Sequence, residues 1–287
     1  MNALTSEQEA QGYIVERSEY SARPVRAKDI TILYYTSNRI PKHFAESVRA
    51  QLLSASLVPD GSSVSIREDG KLNGGFCIPI VSVSQKPLDF GKNICVGEIG
   101  VTTLNLYRQV LIAAKAAETP YVALCEDDCL YLPSHFTNYR PPMDAFGYNQ
   151  NKWTVFAWDC DPSPIMSNKE HRCVLNQCIA PRTLLIEALE ERFALVATGL
   201  LTEDKIRMHF CEPGRHEKWL GVTLREKVEY WAPEPSIVFC HLHAMDRLGK
   251  RKRHGEIRVD RCEPWGTATD VLKAYVGIDE WRRQRRA

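Results

Sequence analysis

The stretch that most constrains this chain is residues 120–131, PYVALCEDDCLY. The run Tyr121, Val122, Ala123, Leu124, Cys125 starts after Pro120 and stops at three consecutive acids, Glu126, Asp127 and Asp128. A short apolar run without polar alternation predicts a strand covered on both faces. The acids then fall at its C-terminal end, the edge at which open α/β sheets bind ligands. Carboxylates this close repel one another and are comfortable only in water or around a cation. Hard oxygen donors suit Mg2+ or Mn2+, above all where phosphates complete the shell. A solvated acidic turn after a core strand fits the triplet alone equally well, so its neighbours must decide.

Those neighbours alternate strand and helix. Residues 29–35 (DITILYY) predict a strand that ends in a polar turn, Thr36, Ser37, Asn38 and Arg39. Residues 44–53 predict an amphipathic helix with Phe44, Val48, Leu52 and Leu53 on one stripe. Residues 59–75 are turn-rich, 78–84 (IPIVSVS) predict a strand ending at Gln85, and 89–100 read as a glycine-spaced loop. Residues 103–117 are rich in good helix formers. Strands alternating with helices predict a mostly parallel sheet with right-handed crossovers. The second half is less regular. Strands are expected over 154–158, 174–179 and 236–241, with helices over 182–192 and 216–228 and a short one near the end.

Composition narrows the field by little. The chain has 287 residues, 44% of them apolar, and a formal net charge of +1, so bulk charge selects no partner. Basic residues crowd the C-terminal end: Arg247, Lys250, Arg251, Lys252, Arg253, then Arg282, Arg283, Arg285 and Arg286. Ten cysteines in a chain of this length do not make a disulfide scaffold. No signal peptide or membrane-length apolar run is read, which leads to the expectation of a cytoplasmic protein with mostly reduced thiols. His241 and His243 would share one strand face. With Cys240, Cys211 and Cys262 they form one conceivable zinc set, and Cys160, His171, Cys173 and Cys178 another, though neither has paired C-x-x-C spacing.

Four features converge: the acids after a buried strand, polar turns after two other strands, late histidines, and a carboxylate at a helix start in residues 215–221 (RHEKWLG). This arrangement resembles the GT-A glycosyltransferases, which use nucleotide-sugar donors. The resemblance covers residues 29–245 and implies a GT-A-like α/β fold. Its central sheet would be mostly parallel, flanked by helices, with the nucleotide-sugar site at the strand C-terminal ends. Glu126-x-Asp128 is similar to the family's D-x-D motif, with Glu at the first position. Metal ligands are then expected at Asp128 and Glu126 with His243 or His241, for Mn2+ or Mg2+. Glu217 looks like the family's catalytic base, although His216 precedes it where an acid is usual. Should Glu217 not be the base, Glu212 and Asp204 are the other acids to consider. Donor contacts are expected from Thr36, Ser37, Asn38, Arg39, Gln85, Arg108, Glu126, Asp127 and Lys250, and acceptor contacts from Trp158, Trp219, Arg251 and Arg253. Glu217 could equally be a helix-start acid stabilising the dipole, and Arg108 a solvated helix residue.

The resulting organisation is an N-terminal arm (1–28), a catalytic region (29–245) and a basic extension (246–287). The catalytic region divides into a nucleotide-binding half (29–132) and an acceptor half (133–245). The expected activity is metal-dependent transfer of a sugar from a nucleotide sugar, such as a UDP-sugar, to a hydroxyl. Soluble character and basic clusters look like the phage glycosyltransferases that decorate hydroxymethylated pyrimidines in DNA, with host cytoplasm as the setting. The alternatives are a cell-envelope glycan or protein acceptor, a nucleic-acid-binding module, and a metal nuclease.

Overall fold

The computed structural model of the chain describes residues 27–58, 65–66, 72–73, 75–156, 164–169, 173–225, 227–241 and 255–277. Two sheets organise it. The larger has seven strands: β1 (Ile30–Thr36), β2 (Ile80–Ser84), β3 (Lys92–Cys95), β4 (Tyr121–Glu126), β6 (Phe146–Asn149), β9 (Cys178–Pro181) and β10 (Val228–Trp231). Their spatial order is β10-β6-β9-β4-β1-β2-β3. Every neighbouring pair is parallel except the two that β9 makes, with β6 and with β4. The expected mainly parallel sheet flanked by helices is therefore present, and residues 29–132 and 133–245 both supply strands to it. The second sheet has five strands in the order β12-β8-β7-β11-β5. These are β5 (Cys129–Leu130), β7 (Lys152–Phe156), β8 (Met166–Lys169), β11 (Ser236–Cys240) and β12 (Glu256–Val259).

The apolar runs of β1 and β4 are continuous because helices cover both faces. Leu33 of β1 and Leu124 of β4 pack against α2 (Thr103–Ala116) and α4 (Arg182–Ala197). On the opposite face Ile30 and Ile32 pack with Leu52 and Ala55 of α1 (Lys42–Ala55). Alternate residues of one strand thus serve two cores, as a period of two requires. Each fully buried Ile or Leu contributes roughly 2 kcal/mol of transfer free energy, so burial fixes these strands at the centre of the sheet. The N-terminal part of the same stripe of α1, Phe44 and Val48, meets Ile237 and Phe239 of β11 and Val271 and Leu272 near the C-terminal end. α1 is the wedge that joins the two sheets.

Several elements differ from expectation. Residues 216–228 are not one helix. A single turn, α6 (Glu217–Leu220), stops at Gly221, whose φ of 87° is left-handed, and Val228 already begins β10. Residues 89–100 contain the edge strand β3, and a short helix α5 (Glu203–His209) precedes the 210–216 loop. Residues 133–151 hold a short helix, α3 (Pro133–Thr137), as well as β6. The strand expected at 154–158 is shifted to Lys152–Phe156. The arm 1–26 and residues 242–254 and 278–287, with most of the basic clusters, lie outside the described residues. No helix among the described residues is long and apolar enough to cross a membrane.

One buried group on α3 has a consequence for acid stability. His135 is 1% exposed, with its ring against Tyr131 and Trp231 and its Nδ1 3.2 Å from Asn149 Nδ2. Its Nε2 has no hydrogen-bond partner among the described residues. Burial, with Arg140 as a lesser cause, lowers it from 6.5 to about 3. The folded protein therefore keeps a neutral ring, whereas the unfolded chain takes up a proton below about pH 6.5. This contribution is whole above that pH and is lost as the pH falls toward 3. At about pH 4.5 the loss is about 2–3 kcal/mol. The His135→Gln protein should show a shallower fall in melting temperature between neutral and acid pH than the wild type. Equal slopes for the two proteins would contradict this assignment.

Candidate active site

The C-terminal ends of β4, β1 and β2 open into a cavity of about 430 Å3, a volume that suits a small-molecule ligand. Glu126, Asp127 and Asp128 line it together with Thr36, Ser37, Arg39 and Gln85. Gly100, Val101, Thr102 and Thr103 bring in the N-terminus of α2. Lys152 and Thr154 of β7, and Cys240 and His241 at the end of β11, complete one side. Arg207, Phe210, Cys211, Glu212 and Arg215 form the wall contributed by α5 and the loop that follows it.

The register of β1 against β4 pairs Tyr35 with Glu126, and that pairing builds the floor. Glu126 accepts from Tyr35 OH at 3.0 Å on Oε1 and from Asn176 Nδ2 at 2.8 Å on Oε2. Asp127 accepts a short hydrogen bond from Thr36 Oγ1. Asp128 is 8% exposed; its Oδ2 lies 3.3 Å from His241 Nε2, and its Oδ1 accepts from Cys129 Sγ at 3.2 Å. Burial first, then the charge of Asp128, push Glu126 up to about 8 and Asp127 up to about 6. Hydrogen bonds from Asn176 and Tyr35 offset part of the shift at Glu126, and the one from Thr36 part of that at Asp127. Among the described residues no Lys or Arg forms an ion pair with any of the three acids.

This donor set fits a divalent cation. Ligand atoms of Glu126, Asp128 and Cys129 all lie within 4.8 Å of one another, and a His nitrogen reaches Asp128 from a different sheet. Uncompensated carboxylates gathered at a low-dielectric floor raise one another's pKa, and a cation reverses that repulsion.

The other expected contacts divide into those the fold brings to the cavity and those it uses elsewhere. Asn38 sits in the left-handed region at φ 56°, a conformation Asn tolerates better than most residues. Its Oδ1 accepts from Gln85 N at 2.8 Å and Lys86 N at 2.9 Å, tying the loops after β1 and β2 together. Gln85 lines the cavity, yet both ends of its amide are engaged by the backbone of Gly100. Both residues therefore shape the wall and leave ligand contact to others. Arg108 is exposed, its Nη1 3.4 Å from Asn105 Oδ1 and its guanidinium over the Phe193 ring, away from the cavity lining. Trp219 is 65% exposed and stacks on His209, also outside the lining. His243, Lys250, Arg251, Arg253 and Trp158 lie outside the described residues.

Glu217 requires the largest correction. It is 2% exposed, does not line the cavity, and accepts from Arg192 Nη2 at 2.8 Å and Gly214 N at 2.5 Å. A carboxylate so enclosed cannot reach an acceptor hydroxyl. The acid that does face the cavity from this segment is Glu212, 3.2 Å from Arg215. Asn176, Lys152, Arg207 and Arg215 also line the cavity, beyond the contacts expected from sequence. Nothing in their local pattern marked them as cavity residues, because they come from elements far apart in the chain: β7 for Lys152, a short 3-10 turn for Asn176, α5 for Arg207 and the loop after it for Arg215.

No protein-family model matches the chain, and no curated protein matches it. Among solved structures it is similar to a nucleotidyl transferase from Methanothermobacter thermautotroptrophicus, Mth528, at 10% identity and a TM-score of 0.33. That similarity covers 56% of this chain and 75% of Mth528. It is also similar to S. aureus TarS at 9% identity and a TM-score of 0.33, over 74% of this chain and 36% of TarS.

Proposed function

We propose that the protein is a divalent-cation-dependent glycosyltransferase that moves a sugar from a nucleotide-sugar donor to a hydroxyl acceptor. The observation that carries this reading is the pairing of Asp128 with His241, beside Glu126, at the floor of a cavity lined by Arg39, Lys152, Arg207 and Arg215. Acids to hold a cation and separate basic side chains to meet phosphate oxygens are what a diphosphate donor requires. Asp128, Glu126 and His241 would hold Mn2+ or Mg2+. Such an ion supplies Lewis-acid neutralisation of the charge that builds on the leaving diphosphate.

The protein's own groups account for the rest. The N-terminus of the 14-residue helix α2 faces the cavity, with Thr102 Oγ1 accepting from Asn105 N, and the positive end of the helix dipole favours an anion there. The loops 36–39 and 99–103, held by Asn38 and Gln85, frame the space for the nucleoside. Glu212 replaces Glu217 as the proposed base. It takes the proton of the acceptor hydroxyl as that oxygen bonds to the anomeric carbon, while the bond from that carbon to the diphosphate oxygen breaks. The nucleoside diphosphate leaves. The basic clusters of the C-terminal segment suit a DNA acceptor carrying hydroxymethylated pyrimidines.

Titration calorimetry with UDP-glucose, with and without Mn2+, tests the reading. Binding that requires the metal is expected. No binding under either condition would overturn it in favour of a nucleic-acid-binding protein, and metal-dependent cutting of DNA would favour a nuclease. For the acceptor, incubation with hydroxymethylated and plain DNA is read by nucleoside mass spectrometry. A glucosylated base in the first alone is the expected result, and glucosylation of neither excludes the DNA acceptor.

A further inference from the structure

The loop 210–216, which carries Phe210, Cys211, Glu212 and Arg215 to the cavity, is held from behind. Glu217 Oε1 accepts from Gly214 N at 2.5 Å and from Arg192 Nη2 at 2.8 Å. The Arg192 and Glu217 side chains are 0% and 1% exposed. Tyr148 OH donates to Pro213 O at 2.6 Å. Gly214 has φ 87°, and a Cβ there would lie 2.5 Å from Val228 Cγ2, so the loop passes too close to β10 for any other residue. His209 and His216 draw the loop ends together, their Nδ1 atoms 3.5 Å apart.

The buried pair is a poor device for stability. Among the described residues Arg192 Nε and Nη1 and Glu217 Oε2 have no hydrogen-bond partner. An incompletely satisfied buried ion pair usually gives no net gain over apolar residues of the same volume. Apolar side chains could fill the space between α4 and α6, but they could not accept the Gly214 N–H.

From this we infer that Glu217, oriented by Arg192, is a positioning residue whose carboxylate fixes the loop presenting Glu212 and Arg215 to the cavity. The roles of Glu212 and Arg215 rest on the proposed transfer reaction. The fixing of the loop does not.

Two full-length double variants separate positioning from packing. Arg192→Met with Glu217→Leu removes both charges and the acceptor. Arg192→Met with Glu217→Gln removes the charges and keeps an acceptor oxygen for Gly214. Hydrogen exchange by mass spectrometry follows the 210–216 loop, and calorimetry follows UDP with Mn2+. The Leu variant should melt at or above the wild-type temperature. Even so, its loop should exchange about tenfold faster, and its UDP affinity should fall about tenfold, the worth of one strong hydrogen bond. The Gln variant should stay within about twofold of wild type in both. Equal loop exchange in the two variants overturns the inference, and so does failure of both to fold, because the pair then carries the fold. If the wild type does not bind UDP, the transfer reading fails while the exchange comparison still decides the positioning role.

Discussion

The Asp128→Asn protein should melt no lower than the wild type without metal, and should lose the stabilisation that Mn2+ gives the wild type. The two effects have opposite signs for one reason. Asp128 is the charge that most raises both Glu126 and Asp127 after burial itself. Removing it relieves repulsion that no Lys or Arg ion pair among the described residues offsets. Asn keeps the shape and can still hydrogen-bond to His241. It withdraws the carboxylate closest to that histidine, and with it the cation. A ligand at about 100 times its Kd stabilises by about 2.7 kcal/mol, or roughly 5–10 °C in a domain of this size. That rise should be absent in the variant, and metal-dependent affinity for UDP-glucose should fall at least about 100-fold. A wild-type response to Mn2+ in the variant would show that the cation sits elsewhere.

Much of this floor was legible because its signal is local. A run such as YVALC can be buried on both faces, and three acids in a row must end it. The Arg192–Glu217 pair was not legible from residues 215–221, which resemble a helix start bearing a free acid. The missing signal lay 25 residues earlier in the chain. Arg192 falls on the same stripe of α4 as Leu185, Ala188 and Leu189, and all four are buried. A guanidinium on an apolar stripe demands a buried partner. Taken as an ordinary helix end, Arg192 lost that information. Gly221 carried a second missed signal: a left-handed glycine ends a helix, which left α6 a single turn and freed residues 228–231 to join the sheet.

Side-chain direction on α2 misled in a different way. Arg108 is flanked by Tyr107 and Gln109, which are both buried. Gln109 Nε2 donates to Thr36 O at 2.9 Å, so the residue that supports the loop after β1 from α2 is the amide and not the cation. The edge strand β3, KNIC, was hidden because none of its residues is buried and its four residues show no apolar alternation. It forms because β2 offers an unpaired edge, which is a property of the sheet and not of those residues.

Glu212→Gln should lower turnover about 100-fold or more while leaving metal-dependent UDP-glucose affinity within about threefold, the signature of a lost general base. The geometry explains the separation. Glu212 reaches the cavity on the 210–216 loop, whereas Glu126, Asp127 and Asp128 come from the end of β4. Gln preserves its volume and can still accept from Arg215, so the loop keeps its place. The ion pair that is lost is partly open to solvent, with Arg215 43% exposed, and such pairs contribute about 1 kcal/mol or less. A fall in turnover therefore could not be blamed on unfolding, and a parallel melting curve checks this directly. Wild-type turnover in this variant would remove Glu212 from the chemistry. Asp204 offers no easy replacement, being 80% exposed, paired with Arg207 on α5 and outside the cavity lining. The proton would then have to leave by a route that uses no carboxylate of this wall, as in a reaction that retains configuration at the transferred sugar.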